Sequence, residues 1–174
     1  ITRFYDNETD NYRQNIIQLI WSRSISNSLS FHSAIHYTRG DGYYEEYRED
    51  HPFSKYGLLP VMTSQGERVT TDLIRRKWMK NDFYGMVYSI NYKKKKIEAI
   101  LGGGMNNYLG DHFGRLVWIQ YNAGTENDYQ WYFNDAAKAD ISIYGKVSCK
   151  ISEKLSGFGD LQYRHINYKM NGSD

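Results

Sequence analysis

FYGMVYSINYKKKKIEAILGGGMN, residues Phe83–Asn106, decides how the chain folds. Tyr84, Met86, Tyr88, Ile90 and Tyr92 alternate with Gly85, Val87, Ser89 and Asn91. A period of two is the mark of a strand whose faces meet different surroundings. Lys93–Lys96 is too polar for a core. After it Ile97, Ala99, Leu101, Gly103 and Met105 take one face, and Glu98, Ile100, Gly102, Gly104 and Asn106 the other. Two long strands joined by a tight polar turn form a hairpin, apolar and aromatic on one side, small and polar on the other.

Working outward, the same unit recurs. Tyr12–Ser24 reads as a first strand with Ile17, Leu19 and Trp21 on one face and Gln14, Gln18 and Ser22 opposite. Ser26-Asn27-Ser28 turns the chain, and Leu29–Thr38 returns, with Leu29, Phe31, Ile35 and Tyr37 against Ser30, His32, His36 and Thr38. Arg39–Thr71 has no sustained period and is expected as a long loop. A third strand runs from about Ile74 to Tyr92 and a fourth from Ile97 to about Tyr108. A second irregular stretch, Leu109–Ala136, holds one short expected strand, Arg115–Tyr121. The fifth strand is about Ala137–Ile151, Ser152-Glu153-Lys154 turns, and Leu155–Met170 is the sixth.

Composition supports an all-β chain. Of 174 residues, 17 are Tyr, 7 Phe and 4 Trp, with only 2 Pro. Hydrophobic residues make up 40% of the chain, yet mean hydropathy is −0.73, and no apolar run approaches the roughly 18–20 residues of a membrane helix. A net charge of +2 gives no reason to expect nucleic acid. One cysteine, Cys149, excludes an intramolecular disulfide or a thiolate cluster.

The expected connections alternate short, long, short, long, short. A transmembrane β-barrel has this pattern, with short turns at one end and long loops at the other. The polar faces carry too many Gln, Ser, Asn, Lys and Asp for a dry core but suit a water-filled or plugged lumen. The expected fold is therefore an all-β antiparallel meander of about six long strands, part of a transmembrane barrel.

Four segments carry a resemblance: HYTRGDGYYEEY (His36–Tyr47), DLIRRKWMKNDFYGMVYSINY (Asp72–Tyr92), LGGGMNNYLGDHFG (Leu101–Gly114) and GFGDLQYRHINYKMNG (Gly157–Gly172). Together they resemble the barrel of TonB-dependent outer-membrane receptors, of the kind found in Bacteroides-like bacteria. The resemblance covers the chain from about Tyr12 onward. It implies an internal piece of a barrel of about 22 strands, without its plug domain or terminal strand, in the cell outer membrane. It further implies a role in importing a small nutrient (an iron chelate, haem, cobalamin or a glycan) with energy from the TonB complex, which acts through the plug. Outer-membrane lipid would be a second partner, and the isolated piece would self-associate. No cofactor and no catalysis are expected.

Aromatics mixed with charge in a long outer loop suit ligand capture. Tyr43, Tyr44, Glu45 and Tyr47 in the first irregular stretch, with Asp111, His112 and Trp118 in the second, are the expected ligand-contacting set. Against this stands a loop that merely packs on its neighbours, with Glu45, Glu46, Glu49 and Asp50 as solvated acids. Asp111-His112 lacks further spaced metal ligands and reads as a structural histidine. His32 and His36, about 13 Å apart along a strand, read as lumen-lining. Gly102-Gly103-Gly104 has no following Lys-Ser/Thr, so it marks a close backbone approach and not a phosphate loop. The competing functions are a soluble, lipocalin-like or sandwich-like binding module, and a membrane-barrel enzyme. No nucleophile arrangement supports the enzyme.

Overall fold

A computed structural model describes residues 8–122 and 124–173. The chain is all-β, without α-helix among the described residues. Six long strands form one antiparallel sheet: β1 (Thr9–Ser26), β2 (Leu29–Pro52), β5 (Thr70–Lys94), β6 (Ile97–Ile119), β7 (Tyr129–Lys150) and β8 (Ser156–Ser173). They lie in chain order, each paired with the next, so the sheet is a meander. Between β2 and β5 sit a single 3-10 turn, Phe53–Tyr56, and a small hairpin, β3 (Val61–Thr63) with β4 (Gly66–Arg68).

Strand parity holds across the sheet. One row runs Leu19, Ile35, Met86, Met105, Ile141, each opposite the next. A second runs Ser22, His32, Ser89, Gly102, Tyr144, Gln162 on the other face. The first face is aliphatic and aromatic; the second is hydroxyls, amides and imidazoles. On the polar face His36 Nε2 lies 2.9 Å from Asn106 Oδ1, and His32 Nδ1 lies 3.0 Å from Ser22 Oγ. His32 and His36 thus share the polar face, as expected.

Among the described residues no second layer covers either face of the sheet's middle. The accessible surface is 12704 Å², against roughly 8,900 Å² for a compact soluble chain of this mass. Leu19 is 66% exposed, Ile35 56%, Ile141 57% and Leu161 80%. Among the described residues one compact core is found, at the far end of the polar face, where Tyr56 from the 3-10 turn packs on Leu73 and Leu116, joined by Leu58, Ile119, Tyr129 and Trp131.

The short turns fall where the sequence puts them, at residues 27–28, 95–96 and 151–155. The long connections are shorter than expected, because the strands run on. β2 continues to Pro52, β6 continues to Ile119, and β7 begins at Tyr129. Residues 39–52, 109–114 and 129–136 are therefore strand and not loop, and the short strand expected at 115–121 is the end of β6. Cross-strand charge pairs hold these extensions where hydrophobic alternation fades: Arg39 with Asp82 at 3.3 Å, Asp41 with Lys80 at 3.9 Å, and Glu45 with Arg76 at 2.5 Å.

The triple glycine makes room for rings. A Cβ on Gly102 would lie 2.6 Å from the Tyr144 ring on the polar face, and one on Gly103 would lie 3.0 Å from Tyr88 Oη on the other. Gly102 and Gly103 each pair with the strand residue whose ring lies over them, Tyr144 and Tyr88, whereas Gly104 lies against Val87.

Candidate functional site

The seven sequence-derived candidates all lie on strands, which corrects their expected place on loops. Tyr43, Tyr44, Glu45 and Tyr47 belong to β2; Asp111, His112 and Trp118 belong to β6. Because a strand alternates, the set divides between two faces. Tyr44 and His112 point to the polar face. Tyr43, Glu45, Tyr47 and Asp111 point to the apolar side, and Trp118 opposite Ile74 joins them beyond a bulge. Asp111 and His112, adjacent in sequence, therefore project oppositely and cannot serve one ion. Among the described residues no cluster of three His, Cys, Asp or Glu side chains is placed to hold a metal.

Tyr44 and His112 share a recess of about 500 Å³ on the polar face with Tyr12, Lys77, Met79 and Tyr132. Its construction follows from the register. Tyr44 pairs with Lys77, Lys77 with Gly114, and Gly114 with Tyr132, so these groups share one level. Gly114 leaves space for aromatic neighbours, since a Cβ there would lie 2.4 Å from Tyr132 Cε1 and 2.3 Å from Trp131. Gly40 and Gly42 do the same for Tyr12, whose hydroxyl donates to Asn81 Oδ1 at 2.8 Å. The Lys77 ammonium lies 5.9 Å from the centre of the Tyr44 ring. Aromatic walls with one cation, one imidazole and the Asp10 carboxylate can stack on and hydrogen-bond a polar ligand. The sequence reading missed Tyr12, Lys77 and Tyr132. Lys77 was available from the register, since it falls opposite Tyr44 once β2 and β5 are paired through Ile35 and Met86.

Above the recess the polar face is closed by the segment between β2 and β5. Tyr56 is 1% exposed. Its hydroxyl accepts from Arg75 Nη1 at 3.0 Å and lies 2.9 Å from His51 Nδ1, and its ring meets Trp131 edge-on at 5.2 Å. Arg75 is buried and paired with Glu46 at 2.6 Å. Burial first, then the nearby Arg75, pushes the His51 imidazole below its ordinary value, so it is held neutral here.

On the opposite side Tyr47 donates a short hydrogen bond to Asp72, which also accepts from the Asp50 amide at 2.9 Å. The amide bond first, then the phenol, holds the Asp72 carboxyl below its usual range. The Tyr47 phenol is pushed up to about 12, chiefly by that hydrogen bond. These groups brace the base of the closing segment. Glu45 is engaged by Arg76 at 2.5 Å.

In comparisons with known proteins, no family model matches the chain and no curated protein matches it.

Proposed function

We propose that this chain is part of the wall of an outer-membrane β-barrel, with the aliphatic face toward lipid and the polar face toward the lumen. The observation that carries this is the exposed apolar band. From Ile97 to Asn107 the outward residues of β6 cover roughly 33 Å of strand, about 25 Å of height at a tilt near 40°, which matches the apolar belt of such barrels. The band ends at a row with Tyr37 opposite Tyr84, where amphipathic rings suit a membrane boundary. A soluble module would need a second layer over this band, and an apolar patch of this extent marks a partner or a membrane.

The resemblance to TonB-dependent receptors extends the reading to import. The barrel would pass a small nutrient inward, with the Tyr44 and His112 recess facing its path and the segment at 53–69 narrowing the lumen. The sequence resemblance and the aromatic recess support this step; the substrate is set by neither.

The test uses the whole protein in native membranes, in a Cys149→Ser background. Single cysteines at Leu19 and Ile141 (outward) are compared with single cysteines at Gln18 and Gln162 (inward) for reaction with a water-soluble maleimide. The expected result is labelling at the inward positions and protection at the outward ones. Equal labelling of both sets, or the reverse pattern, overturns the membrane reading. Energy-coupled uptake that survives collapse of the proton gradient would overturn the import step alone.

A further inference from the structure

The three short turns lie together at one end of the sheet, and positive charge gathers there. Residues 23–30, 91–98 and 146–160 hold eight Lys and Arg against three Asp and Glu, a formal charge of +5. The whole chain is +2, so the rest of it carries −3. Two of the three acids are already engaged, Glu98 by Lys93 at 2.5 Å and Asp160 by Lys146 at 3.5 Å. Among the described residues Arg23, Lys94, Lys95, Lys96, Lys150 and Lys154 have no carboxylate partner, and Glu153 is the one acid of this end left over.

Parity sets where these cations point. Arg23 lies opposite Phe31 and Lys94 opposite Ile97, so both stand on the aliphatic face. Lys95, Lys96 and Lys154 occupy the turns, and Lys150 is on the polar face. Arg23 is four residues from its own turn, roughly 13 Å of strand and about 10 Å of height at a tilt near 40°. It therefore sits just inside the apolar band, whose lower end on β6 is Ile97. Trp21, Ile25 and Phe31 line with it a recess of about 510 Å³, and the Trp21 and Phe31 rings meet edge-on at 5.4 Å. A lipid-facing cation is costly at mid-membrane and nearly free at the interface. Here the arginine stem can lie on apolar walls while the guanidinium returns to the boundary, where an anion can meet it.

Position and charge together select that anion. An acidic protein below the membrane would meet the turn lysines but not Arg23, which faces the band. A phospholipid phosphate lies at the edge of the band. A zwitterionic headgroup would bring its own ammonium into a field of +5, whereas an anionic one brings none. We propose that the short-turn end is a binding surface for anionic phospholipid. Arg23 holds a headgroup phosphate, the Trp21 recess receives the acyl carbons next to it, and the turn lysines concentrate such lipid around the wall. The inference rests on the membrane reading above and is separate from the lumen recess.

The test reconstitutes the whole protein in phosphatidylethanolamine bilayers containing phosphatidylglycerol. One lipid or the other carries brominated chains, at the same mole fraction of bromine. The readout is quenching of Trp21 emission, taken as the difference between the protein and its Trp21→Phe variant. The expected result is stronger quenching by brominated phosphatidylglycerol, weakened by added salt. Arg23→Gln should lower this enrichment about fivefold, as the loss of one near-surface cation implies, and Arg23→Lys should keep most of it. Gln in place of Lys94, Lys95 and Lys96 together should lower it in the same direction without touching the recess. Equal quenching by the two lipids overturns the proposal but leaves Trp21 in lipid, so the membrane reading stands. A preference that Arg23→Gln leaves unchanged also overturns it. Equal quenching joined to salt-sensitive binding of polyglutamate would make this end a protein dock instead. Absence of quenching by either lipid overturns the membrane reading itself.

Discussion

Removing the Tyr56 ring should unlatch the segment at 53–69 while leaving the six-stranded sheet intact. Among the described residues Tyr56, Leu73 and Leu116 are the largest fully buried side chains, and no other core there holds this segment down. Truncating a buried aromatic to alanine costs about 3–5 kcal/mol. The variant also leaves the buried Arg75 without one acceptor, although Glu46 remains at 2.6 Å. Taking the lower figure, because the segment can partly collapse, Tyr56→Ala raises the open population about 100-fold. Lys55 and Arg68 lie within the segment and give trypsin two sites. When opening is fast relative to cleavage, the rate follows that population. Limited proteolysis at pH 8, where His51 is neutral, should therefore show cleavage at Lys55 or Arg68 accelerated about 100-fold, with the strands uncut. Tyr56→Phe keeps the ring and loses the hydroxyl bonds to Arg75 and His51, worth about 1–3 kcal/mol for a buried charged donor, so it should fall between. Wild-type cleavage rates in Tyr56→Ala would refute the latch. Because the folded-state value of His51 is lowered, its stabilisation is present above the ordinary imidazole value. It is lost as pH falls, so wild-type cleavage should rise on acidification.

Two further outcomes test the sheet and its brace. Gly102→Ala sets a Cβ 2.6 Å from the Tyr144 ring and should destabilise by about 1–3 kcal/mol, whereas Gly145→Ala meets nothing within 4 Å and should stay within about 0.5 kcal/mol. Denaturant midpoints in detergent measure both, and equal effects would remove the ring-over-glycine account. Ultraviolet titration should find one tyrosine ionising near 12 that disappears in Tyr47→Phe. Its folded value is raised, so its stabilisation is full below the ordinary phenol value and is lost as pH rises toward 12. A titration unchanged by the substitution would rule out the Tyr47–Asp72 bond as the cause.

The meander was legible wherever one face stayed apolar. The alternation in Phe83–Asn106 gave both strands of its hairpin and its turn, and Ser152–Lys154 marked its turn equally well. It failed from Arg39 to Pro52, from Leu109 to Gly114 and from Tyr129 to Ala136, where both faces carry charge, glycine and aromatics. Glycine and charge read as loop because hydrophobic alternation is a signal of unequal surroundings, and here the surroundings are similar. A charge reading would have recovered the strands. Continuing the register of Ile35 opposite Met86 sets Arg39 against Asp82, Asp41 against Lys80, Glu45 against Arg76 and Glu46 against Arg75. Four successive opposite-charge pairs are strong evidence of pairing. The site was half legible for the same cause. The residue types were found, but reading them as loop hid the parity that sends Tyr44 and His112 to the polar face and Tyr43 and Asp111 to the opposite one.

Each strand of this sheet pairs only with its neighbours in sequence, which sets an order of assembly. Closing the turns at 27–28 and 95–96 costs little chain entropy, so the hairpins β1–β2 and β5–β6 can form first. Joining them must close the segment at 53–69, and that step lacks a tight turn to guide it. The sheet then grows by adding strands at a free edge, and at every stage that edge is an open template for mispairing. A chain built this way needs its growing edge shielded, and the longest exposure falls while β2 waits for β5.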